Sequence, residues 1–227
     1  MFGNLKKELI FVINFKNMKI VAISDTHGLH TQVQVPHGDI LIHTGDVSSQ
    51  GKEFEIILFL NWFRDLPHKH KVFIAGNHDF YFERTPVSDV NKIIPDNVIY
   101  LNDSGVTVEG IRIWGSPIQP WFYDWAFNRH RGAEIKKHWD LIPEDTDILM
   151  THGPAFGVHD RTTRGEKVGC VDLREAIDRI QPKLFVCGHI HEAHGVLDNG
   201  QTTFINASVV DAKYRVVNKP TVFEWKK

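Results

Sequence analysis

The stretch Lys19-Ile20-Val21-Ala22-Ile23-Ser24-Asp25-Thr26-His27 decides how this chain is read. Residues 19–24 are mostly β-branched or small and apolar, the composition of a buried strand. The run stops at a carboxylate and an imidazole two positions apart. Four later segments repeat the arrangement. Residues 39–43 lead to Gly45-Asp46, and residues 70–75 to Gly76-Asn77-His78-Asp79. Residues 147–151 lead to His152-Gly153, and residues 183–187 to Gly188-His189-Ile190-His191. Open α/β sheets place ligands beyond the carboxyl ends of their strands, so these five ends are expected to form one site.

The donors at those ends are Asp25, His27, Asp46, Asn77, His152, His189 and His191. Asp25 and His27 can face one ion only if the strand has already turned into loop. Mixed nitrogen and oxygen ligation suits Mn, Fe, Zn, Co or Ni better than Ca or Mg, and manganese is the favoured expectation. Two divalent ions ~3.5–4 Å apart clamp the attacking and leaving oxygens of an in-line displacement. The expected function is therefore metal-dependent cleavage of a small phosphate ester. Glycines at 45, 76 and 188 let the backbone turn and approach closely. One such motif alone reads as a turn beside a polar cap. Five together do not.

With 227 residues, 42% of them hydrophobic, residues 18–227 are long enough to bury one sizeable core and are read as a single domain. A formal net charge of -2 argues against strong generic binding to nucleic acid or anionic membrane. No apolar run is long enough to span a bilayer. Two cysteines, Cys170 and Cys187, make no disulfide framework, so a reducing, cytoplasmic setting is expected, with Cys187 in the core. Residues 9–15 are apolar but short, follow Lys6-Lys7-Glu8, and precede no small-residue cleavage site, so a signal peptide is not expected. Residues 1–17 are read as an N-terminal extension: an extra strand, a tail, or a misplaced start ahead of Met18.

Alternating strands and helices favour a largely parallel sheet with helices packed on it. A helix over 52–66 is apolar nearly all round through Phe54, Ile57, Leu58 and Trp62, and is expected to be covered on most sides. Hairpins are expected at Glu109-Gly110 and Asn199-Gly200. Helices are expected over 128–141 and 171–180, and a closing strand over 221–225. The histidines outside the motifs (30, 37, 43, 68, 70, 130, 138, 159 and 194) are expected on the surface or on helices. His43 and His194 lie closest to the motifs.

In this order, Asp-x-His, Gly-Asp, Gly-Asn-His-Asp, His-Gly and Gly-His-x-His resemble the calcineurin-like metallophosphoesterase superfamily across about residues 19–210. The closer likeness is to its metallophosphoesterase-domain-containing, brain protein 239-type branch. It is carried by Gly115-Ser116-Pro117, Gln119-Pro120-Trp121-Phe122, DILMTHGP at 147–154, and Ile205-Asn206-Ala207-Ser208. The resemblance implies an α/β fold, a four-layer α-β-β-α sandwich. It implies one ion held by Asp25, His27, Asp46 and His191, and a second by Asp46, Asn77, His152 and His189. It further implies a bridging hydroxide as nucleophile, with His78 as the catalytic residue that stabilises the transition state or protonates the leaving oxygen.

One departure bears on substrate. The protein Ser/Thr phosphatases of the superfamily carry an Asp and an Arg after the bridging carboxylate, where this chain has Ser49 and Gln50. A phosphomonoester dianion thereby loses its bidentate clamp. A phosphodiesterase on a small diester such as a cyclic nucleotide is favoured. A phosphomonoesterase on a nucleotide or sugar phosphate, and a weakly active nucleotide-binding regulator, are the alternatives; the second expects a missing ligand, and none is missing. Trp121 and Phe122, in the aromatic stretch 121–127, either stack a base or pack over a sheet. Arg161 and Arg164 either touch phosphate or are solvated. Asn206 either supports the site by hydrogen bonding or is a turn residue.

Overall fold

Each strand expected ahead of a donor motif forms in the computed structural model, which describes residues 17–226. Residues 1–16 of the expected extension lie outside the described residues. The first half runs β1 (Met18–Ile23), β2 (Ile40–Thr44), α1 (Glu53–Asp65), β3 (His70–Ile74), α2 (Phe80–Arg84), α3 (Val87–Ile93) and β4 (Ile99–Tyr100). A hairpin follows, β5 (Ser104–Val108) and β6 (Ile111–Ser116), then β7 (Gln119–Pro120), β8 (Asn128–Arg129) and α4 (Ala133–Trp139). The last part is β9 (Ile148–Thr151), α5 (Val171–Ile180), β10 (Leu184–Cys187), β11 (Gly195–Asp198), β12 (Thr203–Asn206) and β13 (Thr221–Trp225).

The main strands divide between two sheets rather than one. The first has the order β13-β1-β2-β3-β4 and is parallel except where β13 pairs antiparallel with β1. The second has the order β11-β12-β10-β9-β6-β5, with its four middle strands parallel and an antiparallel hairpin at each edge. Every second side chain of an apolar strand points the same way, and the two periods separate cleanly here. Ile20, Ile42 and Val72 share one buried cluster with Ile148, Leu184 and Val186, which seals the sheets face to face. Val21, Leu41 and Phe73 belong to a second cluster with Ile56, Phe59 and Phe63 of α1. Phe185 and Cys187 lie in that second cluster with Leu173 and Ile177 of α5. The result is the four-layer α-β-β-α sandwich.

Three expectations need correction. The apolar circumference of α1 is not covered on most sides. Ile56, Phe59, Leu60 and Phe63, at helical spacing, take the sheet. Phe54 and Leu58 fall on the opposite face and are 59% and 57% exposed. The helix expected over 128–141 starts only at Ala133. Asn128 and Arg129 pair instead with Gln119 and Pro120, and Gly132, at φ 82°, sets a non-helical entry. Among the remaining histidines, His30, His43 and His68 are buried rather than on the surface.

Both expected hairpins form. Glu109 (φ 52°) and Gly110 (φ 82°) make the two-residue turn, both with the positive φ such turns require. Cys187 is fully buried, as expected. No helix among the described residues is long and apolar enough to cross a membrane.

Candidate metal centre

Five parallel strands, three in one sheet and two in the other, end on the same side, and their loops interlock there. The Asp25 amide donates to the Gly45 carbonyl, His27 N–H to Asp46 C=O, and Gly188 N–H to His152 C=O. Asp25 accepts the His189 amide on both carboxylate oxygens at 3.1 Å, joining the loop after β1 to the loop after β10 across the two sheets. Asp25, His27, Asp46 and His189 all have positive φ, between 43° and 67°. Such backbone costs of order 1–3 kcal/mol per residue and persists where surrounding contacts over-determine it, commonly at functional sites. The glycines act by contact. A Cβ on Gly76 would lie 2.3 Å from Asp46 Oδ1, and one on Gly188 would lie 2.2 Å from Asp25 Oδ2.

The donor atoms converge. His27 Nε2 and His191 Nε2 are 3.3 Å apart, and Asp25 Oδ1 is 3.4 Å from His191 Nε2. Asp46 Oδ2 lies 3.6 Å from His27 Nε2 and 3.3 Å from His152 Nε2. Asn77 Oδ1 is 2.9 Å from His152 Nε2. Ligand atoms of Asp25, His27 and His191, and separately of Asp25, Asp46 and His152, fall within 4.8 Å of one another. His189 stands beside these groups, its ring 5.1 Å from that of His152.

Two histidines are oriented from behind. His152 Nδ1–H donates to the Thr44 carbonyl at 2.9 Å and His191 Nδ1–H to the Asp211 carbonyl at 3.2 Å. Each therefore turns Nε2 inward, the usual orientation of a metal-ligating imidazole.

Electrostatics favour a cation. Asp25 and Asp46 are 0% and 1% exposed, and a carboxylate withdrawn from water costs several kcal/mol unless paired. Burial works to raise both pKa values. Interactions with His191 for Asp25 and with His152 for Asp46 overcome it and hold both below the ordinary range. Burial likewise depresses the histidines, His27 to about 4 and His189 to about 3. For His152 burial loses to Asp46, and its pKa rises to about 9. The two buried carboxylates thus favour positive charge beside them.

A family profile described as calcineurin-like phosphoesterase matches residues 18–193. The chain belongs to the calcineurin-like phosphoesterase family. Metallophosphoesterase domain-containing protein 1 of Homo sapiens is 43% identical over 229 residues, covering 91% of this chain and 70% of the relative. UPF0046 protein K07C11.7 of Caenorhabditis elegans is 40% identical over 218 residues, covering 91% and 74%. Among solved structures, phosphopantetheinyl hydrolase from Mycobacterium tuberculosis has a TM-score of 0.60 over 86% of this chain and 90% of its own, at 14% identity, a likeness of fold alone. The chain is thus a metal-dependent phosphoesterase with a candidate Asp/His metal-binding cluster.

In this phosphoesterase His78 stands at the edge of the cluster. Its Nδ1–H donates to the Ser49 carbonyl at 2.8 Å, and its Nε2 is 4.0 Å from Asp46 Oδ2. Its ring lies 4.2 Å from Trp125 and edge-on to His27 at 4.6 Å. Trp121 and Phe122 are 52% and 51% exposed, so they are not packed into the core. With Pro120, Pro154 and His189 they line a cleft of about 190 Å³.

Asn206 sits behind the loop of His189 rather than in the cleft. It is fully buried, and its amide donates to the Gly188 and Ile190 carbonyls at 3.3 and 2.9 Å, holding the His189 loop. Arg161 donates to the Gly165 carbonyl and, with Lys167 and Glu192, lines a different pocket. Arg164 is solvent-exposed on that same loop.

Two further residues contribute. Asp79 is fully buried, and its carboxylate accepts Val47 N–H, Ser48 N–H, Ser48 Oγ–H and Gly76 N–H, at 3.1, 2.9, 2.6 and 2.8 Å. It ties the Asp46 loop to the Asn77 loop. The Tyr214 ring stands 4.8 Å from that of His27 and 5.2 Å from that of His191. Asp79 lies inside a quoted motif and was legible as a candidate; nothing near Tyr214 in sequence marks it.

Proposed function

We propose that the chain is a binuclear-metal phosphodiesterase acting on a small diester such as a cyclic nucleotide. Asp25, His27, Asp46 and His191 would hold one ion, and Asp46, Asn77, His152 and His189 the other. The observation that carries this is the place of Asp46 Oδ2, 3.6 Å from His27 Nε2 and 3.3 Å from His152 Nε2, where one carboxylate serves both halves. When bound, the ions would supply positive charge to the phosphoryl oxygens and lower the pKa of a bound water. Manganese is the favoured metal, on the mixed nitrogen and oxygen donor set. A cytoplasmic setting fits two buried free cysteines.

His78 has one committed nitrogen and one available. With Nδ1–H held by Ser49, Nε2 is directed toward the cluster, where, when it too carries a proton, it donates to a phosphoryl or leaving oxygen.

The preference for a diester rests on charge. The arginines whose loops border the site are engaged elsewhere. Arg131 donates to the Val168 and Gly169 carbonyls, and Arg215 pairs with Asp211. A phosphodiester carries one negative charge and needs no guanidinium clamp; a monoester dianion does. Half-exposed Trp121 and Phe122 offer faces on which a base stacks.

The test is side-by-side turnover by Mn²⁺-reconstituted protein of bis(p-nitrophenyl) phosphate, p-nitrophenyl phosphate and a panel of cyclic nucleotides. Diesters are expected to be hydrolysed faster. A strong monoester preference would reverse the assignment.

A further inference from the structure

The turn over residues 49–52 joins the Asp46 loop to α1, and its amides are all taken by neighbouring side chains. Glu55, in the first turn of α1, accepts three of them: Ser49 N–H on Oε1 at 3.1 Å, and Gln50 and Lys52 N–H on Oε2 at 3.1 and 3.0 Å. Ser48 Oγ accepts the fourth, from Gly51, at 3.1 Å. The outward side of this turn touches two site residues. The Ser49 carbonyl accepts His78 Nδ1–H at 2.8 Å, and Ser49 Oγ–H donates to the His27 carbonyl at 2.5 Å. The turn is also wedged against the chain that carries His78. Gly51 has φ 67°, and a Cβ there would lie 2.6 Å from the His78 carbonyl oxygen and 2.4 Å from Phe80 N.

We propose that Glu55 is a positioning residue for His78, holding the 49–52 turn so that the Ser49 carbonyl fixes the Nδ1–H tautomer and aims Nε2 at the reacting phosphate. The inference rests on His78 exchanging a proton with substrate through Nε2 in the proposed reaction. Glu55 acts on His78 one step removed, through the backbone of Ser49. A helix cap satisfies one or two orphan amides at its own terminus. Glu55 reaches past that, to amides at 49 and 50, and so governs the carbonyl that His78 uses. A neutral imidazole takes the tautomer set by the partner of its other nitrogen. If the Ser49 carbonyl swings away, Nδ1–H loses its acceptor and the ring its anchor, so Nε2 is no longer aimed at substrate and a share of the catalytic contribution of His78 goes with it.

The test uses the full chain as wild type, Glu55→Gln, Glu55→Ala, His78→Ala and the double variant Glu55→Ala/His78→Ala. Zinc-loaded protein reports which ring nitrogen of His78 carries the proton bound to the Ser49 carbonyl, by long-range ¹H–¹⁵N correlation. Wild type is expected as Nδ1–H, and Glu55→Ala as a mixture. With Mn²⁺ and bis(p-nitrophenyl) phosphate, kcat in Glu55→Ala is expected to fall about tenfold with KM unchanged, part of the 10²–10⁴ that a positioned acid contributes. Glu55→Gln keeps one acceptor and is expected to recover part of that loss; it carries the test if the alanine variant does not fold. In the His78→Ala background, Glu55→Ala is expected to change nothing further. An unchanged tautomer in a folded Glu55 variant, or the same fractional loss with and without His78, would overturn the proposal. If wild type cleaves no diester, the functional assignment fails, and the tautomer measurement still decides the role of Glu55.

Discussion

His152 and Thr44 are joined by a 2.9 Å hydrogen bond from the imidazole Nδ1–H to the backbone carbonyl, which leaves His152 Nε2 facing Asp46 and Asn77. The carbonyl belongs to the last residue of β2, and the imidazole follows the last residue of β9. One contact therefore fixes the separation of the two sheets at the site and the direction of a ligand.

His152→Ala is expected to cost one of the two bound metals, leaving the half around His27 and His191, and to lower diester turnover by a hundredfold or more. Equilibrium dialysis with Mn²⁺ alongside kinetics checks this. Two ions still bound, with full turnover, would remove His152 from the centre.

Asp79 holds the ligand loops together through four donors and has no exposed surface. Asp79→Ala leaves those donors buried without an acceptor. A loss of about 3 kcal/mol or more in unfolding free energy is expected, on the cost of orphaned buried partners. Denaturant titration measures it. A change within about 0.5 kcal/mol, the size of an ordinary surface substitution, would show that Asp79 is not a tie.

His43 makes stability depend on pH. It is fully buried, Nε2–H donates to Thr26 Oγ1 at 3.1 Å, and Nδ1 accepts the Gly45 amide at 3.3 Å. Burial holds its pKa down to about 3, against about 6.5 when unfolded. Between those values the unfolded chain takes up the proton first, so stability rises with pH. The contribution is complete above about pH 6.5 and is lost at about 1.4 kcal/mol per unit as pH falls toward 3. Unfolding free energies of wild type and His43→Gln across that window should diverge in slope, the variant being flatter. Parallel slopes would mean His43 is not the titrating group.

Trp121 and Phe122 rim the cleft at His189 with half their surface in solvent. Trp121→Ala and Phe122→Ala are expected to raise KM for nucleotide diesters about tenfold, from lost stacking, with kcat and thermal stability held. A lower melting temperature with unchanged KM would return both residues to a packing role.

Much of the architecture was legible because the relevant signals are local. β1, β2, β3, β9 and β10 are short apolar runs closed by glycine or by a metal-type donor, and α5 begins and ends where its amphipathic period does. What escaped depends on contacts distant in sequence. The solvent face of α1 cannot be told from its buried face when both are apolar, since only the position of the sheet decides. The two-residue pairing of Gln119–Pro120 with Asn128–Arg129 shortens α4 without a periodic signature. Glu55 and Tyr214 work by reaching backbone or rings in other segments, and their own neighbourhoods announce nothing; Asp79 stands in a quoted motif, but the loops it ties together show only in the fold. Asn206 carried a hint of support through its place after a strand, and its two hydrogen bonds fall to the loop of His189 and His191.

The most direct measurement is the Mn²⁺ stoichiometry of the purified chain, by isothermal titration or anomalous diffraction, for wild type and Asp46→Ala together. Two ions per wild-type chain at the Asp25–Asp46–His152–His191 cluster, with binding of the pair lost in the variant, is the result expected. A single ion, or two ions held equally well without Asp46, would contradict a centre built around that shared carboxylate.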